Sequence, residues 1–290
     1  MAEEPAIVRL VTWNIQWGRG CDGRVDLARI ARVARETADF DVLCLQEVAV
    51  NFPGLPGSQE EDQVALLREA FPGYQAFYGV ATDLPDGRGG RSGFGNLILS
   101  RLPVLQVFRH LLPWPADPGV SSMQRICVEA VVEFAFGPVR VMTTHLEYYS
   151  RKQRLMQVQA LREIHRQAAA HARSPRSADQ AEGPFAVLPR GQSAILCGDL
   201  NFKPGDAEHG VMTWAYEDDT PRLVDAWLAA HYDEPHHDTV GLHGCEWPDS
   251  PYCCDFVFVT DDLLPRLRGV RVNQDTDASD HQPVVLELGD

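Results

Sequence analysis

Six short polar clusters abut apolar runs in this sequence: TWN (12–14), LQE (45–47), THLE (144–147), GDLN (198–201), CCDF (253–256) and SDH (279–281). An acid or amide in one such place ordinarily caps a turn. If all of them converge on one edge of a fold they make a site, because catalytic groups sit at strand ends held by a rigid scaffold. Converged, Glu47 and Asp280 offer hard carboxylate oxygens. These suit Mg²⁺ or Mn²⁺ better than a thiolate-preferring metal. Such an ion would neutralise phosphate oxygens and the charge on a leaving oxygen. His281 would take a proton from an attacking water, with Asp255 behind it to fix its tautomer and raise its basicity. His145, if charged, would donate to a non-bridging phosphate oxygen. Asp199 and Asn201 would hold the water in line. The chemistry this set implies is hydrolysis of a phosphoester.

Convergence needs strands that stop at those points. Apolar runs at 7–13, 41–45, 139–144 and 194–197 lead directly into Asn14, Gln46, His145 and Gly198. Further strands are predicted at 255–260, 267–272 and 283–288. Asp26 can cap a helix over 26–36 that places Leu27, Ile30, Val33 and Ala34 on one face. Helical spacing recurs over 60–70 and, with Leu155, Val158, Leu161 and Ile164, over 152–170. Residues 95–100 with 104–108, and 125–136 with 139–144, read as neighbouring strands. Residues 81–92, rich in Gly and Asp and carrying Arg88 and Arg91, read as a surface loop. Hairpins thus alternate with helices. A parallel, helix-covered sheet would show a helix between most strands. The expected fold is an α/β sandwich of two mixed sheets packed face to face with helices outside. It forms one domain, with a mobile insertion at 172–192.

The 290 residues are 44% apolar, enough for a sizeable core, and no apolar run is long enough to span a membrane. The first residues lack the pattern of a secretory signal. A net charge of -15, from 41 acids against 26 Lys and Arg, disfavours broad attraction to nucleic acid. Cys44 and Cys197 lie in apolar runs, and seven cysteines leave at least one unpaired. A reducing, cytoplasmic compartment is the simpler reading. His243, Cys245, Cys253 and Cys254 match no strong zinc spacing, and adjacent cysteines rarely share one tetrahedral ion. A disulfide among them stays open. Arg101 and Arg125 suit either a phosphate contact or an ion pair. Asp225 reads as a turn or helix start, His236 and His237 as solvent-facing, and Trp17 as a packing residue near the site.

The stretches TWNIQWG, LCLQEV, GFGNLILSRLPV, VMTTHLE, AILCGDLNFKP, CCDFVFV and SDHQPVVLEL, in this order, resemble the endonuclease/exonuclease/phosphatase superfamily. These are the metal-dependent phosphoesterases related to pancreatic deoxyribonuclease and exonuclease III. The resemblance spans nearly the whole chain and implies a four-layer α/β sandwich. It places Asn14, Glu47 and Asp280 on the metal side. It makes Asp199 and Asn201 the pair that positions water and phosphate, and Asp255 and His281 the orienting acid and its histidine. His145 matches the histidine of deoxyribonuclease-like and sphingomyelinase-like members. Apurinic-site endonucleases use a tyrosine there, so that repair activity is disfavoured. The stretch before Asp255 often carries a basic residue in this superfamily, and here it reads Cys253, Cys254. With the acidic balance, this ranks a Mg²⁺-dependent hydrolase of small or lipid-like phosphoesters first. A DNA or RNA nuclease ranks second and a non-catalytic scaffold last.

Overall fold

The structure is a computed structural model that describes residues 7–174, 183–186 and 188–289. The first half of the chain runs β1 (Ile7–Asn14), α1 (Leu27–Thr37), β2 (Val42–Val50), α2 (Gln63–Ala70), β3 (Gln75–Pro85) and β4 (Arg91–Ser100). A meander of β5 (Val104–Leu111), β6 (Ile126–Phe134) and β7 (Gly137–His145) leads into α3 (Arg151–Arg173). Then come β8 (Ala194–Asp199), α4 (Ala207–Thr213), β9 (Leu223–Asp225) and α5 (Ala226–Ala230). The chain closes with β10 (Asp255–Thr260), β11 (Leu267–Val272) and β12 (Val284–Gly289). Among the described residues these strands form two six-stranded sheets, ordered β11-β12-β1-β2-β4-β3 and β5-β6-β7-β8-β10-β9. Each is mixed, with one parallel pair: β1 with β2, and β7 with β8.

Alternation along the strands builds the layers. Leu10, Val42 and Cys44 point between the sheets, where they meet Val141, Ile195, Cys197 and Val257. Their neighbours Val11, Trp13, Leu43 and Leu45 point outward, onto Leu27, Ile30 and Ala34 of α1. On the far side, Met142, Leu196, Phe256 and Phe258 pack with Val158 and Leu161 of α3. Buried residues on both faces explain why these strands read as continuous apolar runs. Each fully buried Val or Leu contributes about 1.5–3 kcal/mol. Helix starts are fixed by side chains: Asp26 Oδ1 accepts from Arg29 N at 2.9 Å, and Ser150 Oγ from Gln153 N at 3.1 Å. The two-sheet sandwich with outer helices is therefore the expected one.

Several local expectations need correction. Residues 81–92 are largely strand, because β3 and β4 pair as far as Pro85 and Arg91. The hairpin arginines are engaged, Arg91 with Asp83 at 2.8 Å and Arg88 with Glu60. Arg101 joins Asp39 and Asp41 in an ion-pair cluster. His236 faces inward, bonded at 2.9 Å to Asp225, which also caps α5. Cys245 forms a disulfide with Cys21, while the other five cysteines are free and buried. With Cys21 as its partner, Cys245 is not available to a zinc cluster. Of the expected insertion, 172–173 belong to α3, and 175–182 with 187 lie outside the described residues. Among the described residues, no helix is long and apolar enough to cross a membrane.

Candidate active site

Strand direction brings the polar clusters to one edge. β1, β7 and β8 end there, carrying Asn14, His145 and Asp199, while β2 passes the edge at Glu47 and runs on to Val50. β10 and β12 run antiparallel to β8 and β1, so their first residues arrive at the same edge. Asp255 sits opposite Asp199 in register, and His145 sits opposite Asp199 on its other side. Gly198 makes this close approach possible: a Cβ there would stand 1.9 Å from the Thr144 carbonyl oxygen, and its φ is +135°.

Glu47 owes its placement to a defect in β2. The pairing with β4 slips between Leu45 and Val48, and Glu47 takes φ 58°. Such a bulge re-aims one side chain, and a left-handed glutamate costs on the order of 1–3 kcal/mol. Asn201, with φ 52°, is the second left-handed residue of the site. Asn14 Nδ2 lies 3.0 Å from Asp199 Oδ2 and 3.3 Å from Glu47 Oε1. Burial and the nearby Asp280 carboxylate push Glu47 up to about pKa 7. Burial and Asp199 also raise Asp280, against the pull of His281. Two raised carboxyls thus lie within electrostatic reach of one another.

The histidines lie across this acidic group. His281 Nδ1 is 2.8 Å from Asp255 Oδ2, and His281 Nε2 is 3.6 Å from Asp199 Oδ2. Burial opposes charge on His281, yet Asp255 and Asp199 outweigh it and raise its pKa well above the ordinary value. His145 behaves oppositely. Burial first, and then the Arg125 guanidinium, hold it down to about pKa 3. This favours the neutral imidazole over the charged form that a donating role would need, and its Nε2 lies 2.9 Å from Asn201 Nδ2 and 3.3 Å from Asp199 Oδ2. Asp199, Cys254 and His281 also present ligand atoms within 4.8 Å of one another, the spacing of a metal site.

All eight residues singled out in the sequence therefore belong to one cluster. Several supporting residues were missed. Gln16 donates through Nε2 to Asp280 at 2.7 Å and through its backbone to Asn14 Oδ1 at 3.0 Å. Ser279 donates to the Asn14 carbonyl at 2.8 Å. Thr239 donates to Asp255 Oδ2 at 2.7 Å, sharing the oxygen that holds His281. Gln16 and Ser279 stand beside the quoted motifs, so adjacency was an available signal, whereas Thr239 lies in an aperiodic loop with none. Arg125 pairs with buried Glu147 at 3.3 Å, and Trp17 donates to Pro56 O at 3.0 Å. Trp17 thus packs on a loop.

The sequence model of the Endonuclease/Exonuclease/phosphatase family matches residues 11–281. A search of curated proteins finds no significant match. Among solved structures, the endonuclease/exonuclease/phosphatase from Beutenbergia cavernae DSM 12333 is 29% identical, with a TM-score of 0.67 over 98% of this chain and 71% of that one. A mannosyl-6-phosphatase of Bacteroides thetaiotaomicron VPI-5482 is 18% identical, with a TM-score of 0.67 over 97% of this chain and 99% of that one. D. rerio TDP2, solved with a single-strand DNA product, is 18% identical, with a TM-score of 0.63 over 97% and 98%. At 18% the likeness is one of fold.

Proposed function

The chain belongs to the endonuclease/exonuclease/phosphatase family and is a metal-dependent hydrolase of the phosphoesterase and nuclease type; from that premise we propose that it cuts phosphodiesters in single-stranded nucleic acid. The observation that carries the chemistry is the His281–Asp255 pair, 2.8 Å apart, with Asp199 beside it. The substrate class rests on the mouth of the site. Beside Asn201 it is lined by Tyr148, Tyr149, Trp247, Tyr252 and Lys203 rather than by aliphatic side chains. Rings and a cation suit bases and phosphate better than an acyl chain. Asp206 and Asp249 at the same mouth, with the net charge of -15, oppose a long duplex. A protein of this fold, D. rerio TDP2, was solved with single-strand DNA. Nucleic acid therefore displaces the lipid-like substrate as the leading reading. The same acidity favours a small phosphomonoester as the second.

The donor set fits a hard divalent cation. Glu47 and Asp280 are raised acids within electrostatic reach of one another, and a cation between them would relieve both, with Asn14 alongside. Cys254 is a poorer ligand, since burial raises its thiol well above the ordinary range. Mg²⁺ or Mn²⁺ would supply charge neutralisation at phosphate oxygens. The protein's own groups handle the proton. Asp255 and Asp199 favour the charged form of His281, which would offer Nε2–H to a phosphate oxygen. Asp199 Oδ2 is the carboxylate oxygen placed to orient water and accept its proton. This reverses the order assigned from sequence, in which His281 is the base. Neutral His145 and Asn201 complete the phosphate cradle.

The test is a matched panel in Mg²⁺, with and without chelator: single-stranded DNA, duplex DNA, RNA, a choline phospholipid and a nucleotide monoester. Chelator-sensitive cleavage of single strands in preference to duplex is expected. Turnover of the phospholipid or the monoester alone would overturn the reading.

A further inference from the structure

The structure assigns a second role to the cleft beside Asn201: we propose that it is a subsite that stacks one nucleobase next to the scissile phosphate. The inference rests on the nucleic-acid reading above and adds the residues that select the substrate. The cleft has a volume of about 630 Å³, within the range of small-ligand sites, roughly 300–1,000 Å³.

Its position follows from the chain. Tyr148 comes three residues after His145 in the turn that leads to α3, and Asn201 lies between the cleft and His145. Arg154 holds this turn through the carbonyls of Glu147 and Tyr148, at 3.0 and 2.8 Å. The opposite wall is the loop that the Cys21–Cys245 disulfide ties to the segment behind Asn14, and it carries Trp247. A phosphate at Asp199 and His145 therefore directs its next substituent over Asn201 and into this cleft.

The walls are large rings left partly in water. Tyr149 is 68% exposed, Trp247 40% and Tyr148 36%. Tyr148 meets Tyr149 at 4.8 Å and Trp247 at 5.0 Å, and Trp247 meets Tyr252 at 6.1 Å, each edge to face. An edge-to-face contact uses at most one face of one ring, so stacking faces remain for a planar ligand. The Lys203 ammonium lies 4.5 Å over the Tyr252 ring, and with Arg154 it gives the cleft two cations. Asp206 and Asp249 limit how much further anionic chain the cleft tolerates. One ring beside one phosphate is what this combination accepts.

The experiment compares a short single-stranded oligonucleotide with the same strand made abasic at the nucleotide beside the cut. Wild-type protein should lose roughly 5- to 150-fold in kcat/KM on the abasic strand, the range for one stacked base. Trp247→Ala and Tyr149→Ala should lose a similar factor on the intact strand and little more on the abasic one. Equal losses on both strands, or none on either, overturn the subsite. A second measurement separates this from failure of the nuclease reading: binding of AMP against ribose 5-phosphate to wild type and to Trp247→Ala. If no oligonucleotide is cut yet AMP binds more tightly in a Trp247-dependent way, the subsite stands and the nuclease reading falls. Equal binding of the two overturns the subsite whatever is cut.

Discussion

The molecule buries charge in two places, and it does so in opposite ways. On β6, Glu129 is fully buried and meets His110 at 2.9 Å, Arg190 at 3.2 Å and Arg140 at 3.9 Å. Burial alone would raise this carboxyl, but those partners lower it below the ordinary value. At the strand-end site, Glu47 is raised to about 7 and Asp280 is raised with it. Buried carboxylates alone therefore do not mark a functional centre. The mark is a set of like charges that the fold brings together until their pKa values rise. The first cluster pairs its acid with cations, and the second sets acid beside acid.

That contrast breaks most easily at Glu129. Glu129→Ala strands Arg140 in the interior and should cost about 3–5 kcal/mol in urea unfolding, with the turnover of the remaining folded protein unchanged. A fall in turnover per folded molecule would mean that the two clusters are coupled. His281→Ala should lower the chemical rate by roughly 10²-fold or more per folded molecule, and it also destabilises the fold because Asp255 and Asp199 lose their buried cation. Near-normal turnover would remove His281 from the mechanism. The pH profile of the wild type then separates the two proton assignments. A charged His281 predicts a rate that falls as pH rises through its elevated pKa, and a His281 base predicts loss as pH drops.

The smallest of these effects has an unusual sign. With metal chelated, ionising Glu47 in the folded state costs free energy that the unfolded chain does not bear. Its folded pKa of about 7 stands above the ordinary 4.5, so stability is lost as pH climbs from 4.5 to about 7. Glu47→Gln should therefore stabilise the metal-free protein at pH 8, on the order of 2 kcal/mol, and by less at pH 5.5. It should also weaken Mg²⁺ activation. Equal stability of the two proteins at pH 8 would show that Glu47 is not strained by its neighbours. The Mg²⁺ requirement of the wild type should likewise rise as pH falls below 7, because metal and proton compete for one carboxylate.

Much of this was visible in the residues. Strands buried on both faces announce themselves as apolar runs, and the polar residues beside those runs are the eight that the fold gathers into one cluster. What stayed hidden depends on relations that local sequence does not encode. Glutamate is no signal for a left-handed bulge, so the turn of Glu47 into the site had none. Cys21 and Cys245 are 224 residues apart, and no local spacing connects them. Thr239 bonds Asp255 from an irregular loop, where periodicity has nothing to say. The protonation of His281 and His145 depends on which charges the fold places beside each ring.

The order of strands in the first sheet has a consequence for synthesis. β12 lies between β1 and β11, pairing Val8 with Leu288 and Thr12 with Val284. Asp280 and His281 immediately precede it. A ribosome therefore releases β1 long before the strand that completes its sheet. Until then the nascent chain has Glu47 and Asp199 but neither His281 nor the second acid. The candidate cluster is therefore assembled only once β12 is in place, and a fragment that terminates before Asp280 lacks both the second raised carboxyl and the His281 ring.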